Sequence, residues 1–205
     1  VILPFTQEEI KKLITACDFT VKAKTKDRKP FKMKRPTAKR DKAIVLCLLD
    51  TGLRASELCR LQIQDVHLDT GLVEVKPFRS GKKSRPRVVF LGKTARNHLW
   101  LYLVDRENTK PIDPLLLASG LPMNRGSLLH VLNELGNRAE VLPCYPHRFR
   151  HTFAIQYLRN GGDVFSLQRQ LGHSTLEMVR HYLAIADTDS ENAHRKASPV
   201  DNWRL

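Results

Sequence analysis

The apolar pattern of this chain is helical at both ends and turns strand-like only once, between Asp65 and Leu91. A chain patterned in this way is built from helices around one small sheet, because period-3.6 text and period-2 text bury different faces. Upstream of the switch, LPFTQEEIKKLITAC carries Thr6 with Glu9 three residues on, followed by Ile10, Leu13 and Ile14 at helical spacing. That capping-box pattern predicts a helix over about 7 to 17. Ala38 to Leu49 predicts a buried helix, with Gly52 standing where a left-handed C-terminal residue is wanted, and LRASELCRLQ a short helix with Arg54 and Glu57 on one face. Within the switch, VHLD, then LVEV after a Thr70-Gly71 turn, then PRVVFL at 86 to 91 predict three antiparallel strands. Helical text resumes at about 94 to 105, 125 to 140, 146 to 160, 163 to 171 and 175 to 186. Ser174 and Glu177 predict a second capping box ahead of the last helix. The fold class expected is α+β, mainly α, with a small three-stranded antiparallel sheet.

The chain has 205 residues, enough for one domain with a proper core. Its 35 Lys and Arg outweigh 21 Asp and Glu, a formal charge of +14 that favours a polyanionic partner. The charge is concentrated. Residues 21 to 40, VKAKTKDRKPFKMKRPTAKR, hold ten of the cations and one Asp, so +9 lies in about a tenth of the chain. With two prolines and no apolar periodicity, this segment is expected to be a mobile loop and a sequence-independent contact to a nucleic-acid backbone. The contacting residues expected there are Lys22, Lys24, Lys26, Arg28, Lys29, Lys32, Lys34 and Arg35. The longest apolar run, Ala43 to Leu49, is far short of the roughly 20 residues that cross a bilayer. The four cysteines, Cys17, Cys47, Cys59 and Cys144, show no CxxC spacing and read as reduced thiols of a cytoplasmic protein, without zinc or disulfides.

Side chains suited to phosphate chemistry gather toward the C-terminus. His147 and Arg150 are three apart and share one helical face; His173 stands at a junction between two helices; Tyr182 lies nine residues later. An Arg grips phosphate oxygens in a fork, a His moves protons or donates hydrogen bonds, and a Tyr is an oxygen nucleophile. Each motif alone is commonplace. No GxxxxGK[ST] loop and no carboxylate cluster suggests nucleotide binding or two-metal chemistry.

Taken together, TGLRASEL at 51 to 58, PHRFRHTFA at 146 to 154, LGHS at 171 to 174 and Tyr182 resemble the catalytic domain of the tyrosine recombinases, or phage integrases. The resemblance runs from about residue 4 to 186 and leaves 187 to 205 as a tail, a possible partner-binding segment. It implies a site-specific recombinase that cleaves double-stranded DNA without metal or cofactor, through a 3′-phosphotyrosyl link and a free 5′ hydroxyl. It further implies Tyr182 as nucleophile, Arg54 and Arg150 as the phosphate clamp with Glu57 supporting Arg54, and His147 and His173 as hydrogen-bonding groups. Of the two, His147 is the expected acceptor of the tyrosine proton. The family's catalytic Lys falls on the hairpin GKKSRPRVVFL; the pattern puts it at Lys82, with Lys83 and Lys76 as rivals and Lys83 and Arg85 as further DNA contacts. By analogy the protein acts as a homotetramer on two duplexes, as a monomer when isolated, in a prokaryotic or phage nucleoid. Family members usually carry a preceding core-binding domain, and this sequence begins where the catalytic domain normally begins. The alternatives are a type IB topoisomerase and a catalytically silent DNA-binding regulator.

Overall fold

The computed structural model describes residues 3–20, 23–25, 28–31, 33–77, 86–186, 198 and 200. Helix α1, Gln7–Asp18, starts with the expected capping box: the Thr6 hydroxyl accepts from the Glu9 N–H at 3.1 Å and the Glu9 carboxylate from the Thr6 N–H at 2.8 Å. The same carboxylate takes Arg148 Nη2, whose guanidinium lies 3.9 Å over the Phe5 ring, and the Phe5 N–H donates to Thr152 Oγ1 at 2.8 Å. The start of the chain is thereby pinned to the helix that carries the candidate site.

Two short strands follow, β1 (Ala23–Thr25) and β2 (Arg28–Phe31), antiparallel, with a Phe19–Lys34 bridge beneath them. The basic segment expected as a loop therefore contains a hairpin. Its ladder is backbone hydrogen bonding, which requires no apolar periodicity, and its base is closed by Thr20 N–H to Met33 O at 2.9 Å and Arg35 N–H to Asp18 O at 2.8 Å. Helix α2, Ala38–Thr51, then runs through the core. Its Asp41 is fully buried and neutralised by Arg35 at 2.9 Å and Arg40 at 2.7 Å, with the Thr37 hydroxyl also donating. Gly52 ends α2 in the left-handed region at φ +61°, and a Cβ there would stand 2.4 Å from the Phe153 ring, so the position requires glycine.

Helix α3 is one turn, Ala55–Leu58. Strands β3 (Leu72–Val75) and β4 (Arg87–Phe90) pair antiparallel, Leu72 opposite Phe90 and Val75 opposite Arg87. The third strand expected at VHLD is a single Val66–Val73 bridge. It is cut short from both sides. A 3₁₀ turn over Ile63–Asp65, capped by the Asp65 carboxylate on the Gln62 N–H, precedes it, and a tight turn that returns the Gly71 N–H to the His67 carbonyl at 2.7 Å follows.

Helix α4, Lys93–Val104, leads to a small hairpin, β5 (Leu117–Ala118) and β6 (Leu121–Pro122), joined by Ser119 and Gly120 at positive φ. Helices α5 (Arg125–Ala139), α6 (Pro146–Arg159), α7 (Val164–Leu171) and α8 (Glu177–Ala186) follow, within two residues of the predicted bounds. α8 starts at Glu177, with the Leu176 carbonyl accepting from the Val179 and Arg180 N–H groups; Glu177 is thus the first helical residue, and the Ser174 capping box would need it to be the third. The main apolar cluster lies between α1, α2, α4, α5 and the β3–β4 ribbon, and a second, smaller one unites α6, α7 and α8 around Phe153, Leu167, Val179 and Tyr182. Among the described residues no helix is long and apolar enough to cross a membrane.

Candidate active site

Pro146 at the first helical position opens α6, where its missing N–H costs nothing, and the next turn displays His147, Arg150 and His151 on one face. Arg150 is 2% exposed. Its guanidinium is held at three points: Nη1 donates to the Gly52 carbonyl at 2.7 Å, and Nη2 to the Leu171 carbonyl at 2.7 Å and to His173 Nε2 at 2.8 Å. The ends of α2 and α7, both turned by left-handed glycines, thus fix the plane of the guanidinium in advance. Burial, then the neighbouring Arg54, lowers its pKa to about 10, so it keeps its charge at neutral pH.

An arginine only donates, so His173 Nε2 accepts and the ring proton sits on Nδ1. That Nδ1 is buried and has no hydrogen-bond partner among the described residues. Burial and the cations Arg150, Arg54 and Arg87 push the pKa of His173 down to about 4, which keeps it neutral.

Arg54 caps α3 and is the more accessible arginine, its side chain 36% exposed. Glu57 accepts its backbone N–H at 2.8 Å and its Nη1 at 3.1 Å, as the Arg54/Glu57 spacing predicts. A further residue dominates that carboxylate. Arg87 on β4 donates Nη1 and Nη2 to its two oxygens at 2.8 Å each, and Nε to the Gln170 carbonyl at 2.7 Å. Burial alone would raise the Glu57 pKa, but the Arg87 fork overrides it and holds it at about 2. Sequence reasoning missed Arg87, because in the text it is one more cation beside a basic hairpin.

Tyr182 is 5% exposed on α8, in the small apolar cluster, with its ring stacked parallel to His173 at 6.4 Å between centroids. Its hydroxyl lies 2.9 Å from His151 Nδ1. His147, the expected acceptor of the tyrosine proton, stands one step away, its ring edge-on to His151 at 4.7 Å. His151 was also missed, although its position four residues after His147 puts it on the same face. Burial raises the Tyr182 pKa, opposed by Arg150 and Arg54; burial, then His147 and Arg150, brings His151 down to about 4, and burial with Arg150 and Arg54 lowers His147.

Arg54, His147, Arg150, His173 and Tyr182 thus form one cluster of cations and neutral imidazoles around a phenol. Lys82, Lys83 and Arg85 lie outside the described residues, as do Lys22, Lys26 and Lys32. Lys24, Arg28 and Lys29 are placed on β1 and β2 by backbone alone, and Lys34 is exposed. Lys76 is bound to Asp65, whose side chain is 5% exposed and needs the cation. Arg35 is likewise committed: its side chain, 17% exposed, neutralises Asp41. Among the described residues no His, Cys, Asp and Glu group is gathered as a metal site.

The model of the phage integrase family matches residues 4–189. The chain belongs to that family. The tyrosine recombinase XerA of Thermococcus kodakarensis (strain ATCC BAA-918 / JCM 12380 / KOD1) is 32% identical over 200 residues, 96% of this chain and 63% of the relative. The phage integrase chain described here therefore spans about three-fifths of that relative's length. The catalytic domain of bacteriophage HP1 integrase superposes with a TM-score of 0.67 at 24% identity, covering 98% of each chain. The Tn1549 transposon integrase in complex with a circular intermediate DNA superposes with a TM-score of 0.73 at 22% identity, covering 96% of this chain and 66% of that one. These two likenesses establish the phage integrase fold, mainly helical with small two-stranded sheets.

Proposed function

We propose that residues 1–186 are the catalytic domain of a site-specific DNA recombinase that cuts and rejoins strands of double-stranded DNA through a 3′-phosphotyrosyl intermediate. The observation that carries this reading is that α3, α6 and the α7–α8 junction bring Arg54, Arg150, His151 and His173 around Tyr182 on α8. Family membership and the DNA-bound relative support DNA as the partner.

The barrier to phosphodiester exchange is charge and positioning, since the pentavalent state concentrates negative charge on the nonbridging oxygens. Arg150, fixed by two carbonyls, and Arg54, steadied by Glu57, supply the countercharge. His173, its Nε2 held by Arg150 and its Nδ1 buried without a partner among the described residues, is the proposed further hydrogen-bonding group for those oxygens. The Tyr182 Oη attacks phosphorus and the 5′ oxygen leaves; Lys82 is the proposed acid for that oxygen. The phosphotyrosine keeps the bond energy, so a 5′ hydroxyl from a second duplex reverses the step and exchanges strands. We take the working assembly to be a tetramer on two duplexes, with the tail after 186 reaching a neighbour.

The test is covalent capture. Wild-type protein is mixed with nicked duplexes carrying a randomised central segment, whose short 5′ product diffuses away and traps the phosphotyrosyl link. A protease-sensitive protein–DNA adduct that Tyr182→Phe abolishes is the expected result. No adduct with wild type, or an adduct that survives Tyr182→Phe, would overturn the reading.

A further inference from the structure

Among the described residues, the hydrogen-bond partner of the Tyr182 hydroxyl is His151 Nδ1, at 2.9 Å. His151 follows Arg150 directly on α6, so one helical turn presents both the phosphate clamp and a group at the nucleophile. Among the described residues, the charged and titratable neighbours of this ring are His147 and Arg150 on its own helix and Tyr182 on α8; His173 from the α7–α8 junction and Arg54 at α3 act on the same tyrosine. None is a carboxylate. Burial first, and then this cationic surround, disfavours the imidazolium and leaves His151 neutral, with a lone pair to offer, at neutral pH.

We propose that His151, rather than His147, is the catalytic base for Tyr182: its Nδ1 accepts the hydrogen bond from the phenol and takes the proton as the bond from Oη to phosphorus forms. The proposal rests on the strand-transfer reading above. In the step, the O–H bond of Tyr182 breaks and its electron pair stays on Oη, which bonds to phosphorus. The bond from phosphorus to O5′ breaks, O5′ leaves with its electron pair and takes a proton from the acid on the hairpin, and His151 becomes an imidazolium. The timing follows from acidity. A phenol, whose ordinary pKa is about 10, does not surrender its proton to an imidazole held at about 4 in the resting site, so the transfer waits until bonding to phosphorus makes Oη–H strongly acidic. The bound phosphate places negative charge beside Arg54 and Arg150 and relieves the repulsion that an imidazolium at 151 would otherwise meet.

Two measurements test this, and they fail separately from the strand-transfer reading. In DNA-free wild-type protein, long-range proton–nitrogen NMR of the histidine rings, assigned with His151→Asn, is expected to show His151 protonated at Nε2 and bare at Nδ1. A proton on Nδ1 would make His151 a donor to the phenol and sink the proposal. In single-turnover cleavage of a nicked duplex selected by wild-type capture, His151→Asn keeps an acceptor near the Nδ1 position but cannot carry the proton. It is expected to cleave about 10²–10³-fold more slowly, with a rate that climbs with pH where wild type is flat. His147→Asn is expected to lower the rate while keeping the flat profile. Cleavage by His151→Asn within threefold of wild type on the same profile would overturn the base assignment and leave strand transfer intact. Failure of wild type to capture any duplex would overturn both.

Discussion

Arg87 on β4 donates Nη1 and Nη2 to the two carboxylate oxygens of Glu57 on α3, each at 2.8 Å. The pair links the ribbon to the turn that presents Arg54, and Arg87 Nε ties both to the end of α7, one residue from the carbonyl that holds Arg150. Both arginines of the proposed clamp therefore depend on one buried ion pair.

Removing Arg87 should harm both stability and strand cleavage. Arg87→Ala leaves a buried carboxylate short of its principal partner, and urea denaturation should show a loss of about 3 kcal/mol. Arg87→Lys supplies a point charge without a fork and should recover only part of that stability, with single-turnover cleavage still at least about tenfold down because Glu57 no longer holds Arg54 in place.

Stability should fall in acid in two stages. His151 and His173, at about 4 when folded against an ordinary 6.5, bind protons more weakly in the folded state. Their contribution is present above pH 6.5 and is lost as pH falls through the window from 6.5 to 4. Glu57, at about 2 against 4.5, contributes fully above 4.5 and loses its share, about 3 kcal/mol, as pH falls toward 2. Equilibrium unfolding across pH 7 to 3 should give a falling curve, and His173→Gln should flatten its upper limb.

Gly52→Ala should cost more than a helix-cap glycine usually does. The left-handed backbone at φ +61° and a Cβ 2.4 Å from the Phe153 ring add strain to a clash, for a loss of at least about 2 kcal/mol in denaturant midpoint measurements. The same residue supplies the carbonyl for Arg150, so cleavage should fall further than the stability loss alone explains.

Asp41→Asn should destabilise the protein by about 3 kcal/mol, since Arg35 and Arg40 would face a neutral amide in a site with no exposure. Thermal unfolding should show it. In Arg35→Gln, DNA affinity measured against salt should keep its slope, because Arg35 in the wild-type fold is committed to Asp41.

Much of this protein was legible one residue at a time. The Thr6/Glu9 capping box, Gly52 as a left-handed cap, and the bounds of α4 through α7 follow from local rules, since caps, glycine φ and 3.6-residue periodicity act within a turn or two. The spacing of Arg54, His147, Arg150, His173 and Tyr182 carried the family, and the structure clusters all five. The local rules failed where a competing turn intervened, as at VHLD, and where backbone pairing needed no apolar pattern, as in β1 and β2.

What the sequence by itself determined is the set of helices and the identity of the phosphate-handling side chains. The tertiary structure alone decided their partners. Arg87 meets Glu57 across 30 residues, Arg150 meets Gly52 across 98, and His151 meets Tyr182 across 31, and no periodicity encodes such distances. The physical reason is that a fork, a fixed guanidinium plane and an acceptor on a phenol are set by how α6 packs against α8 and the ends of α2 and α7. Among several chemically equivalent histidines and arginines, packing chose which one touches which atom.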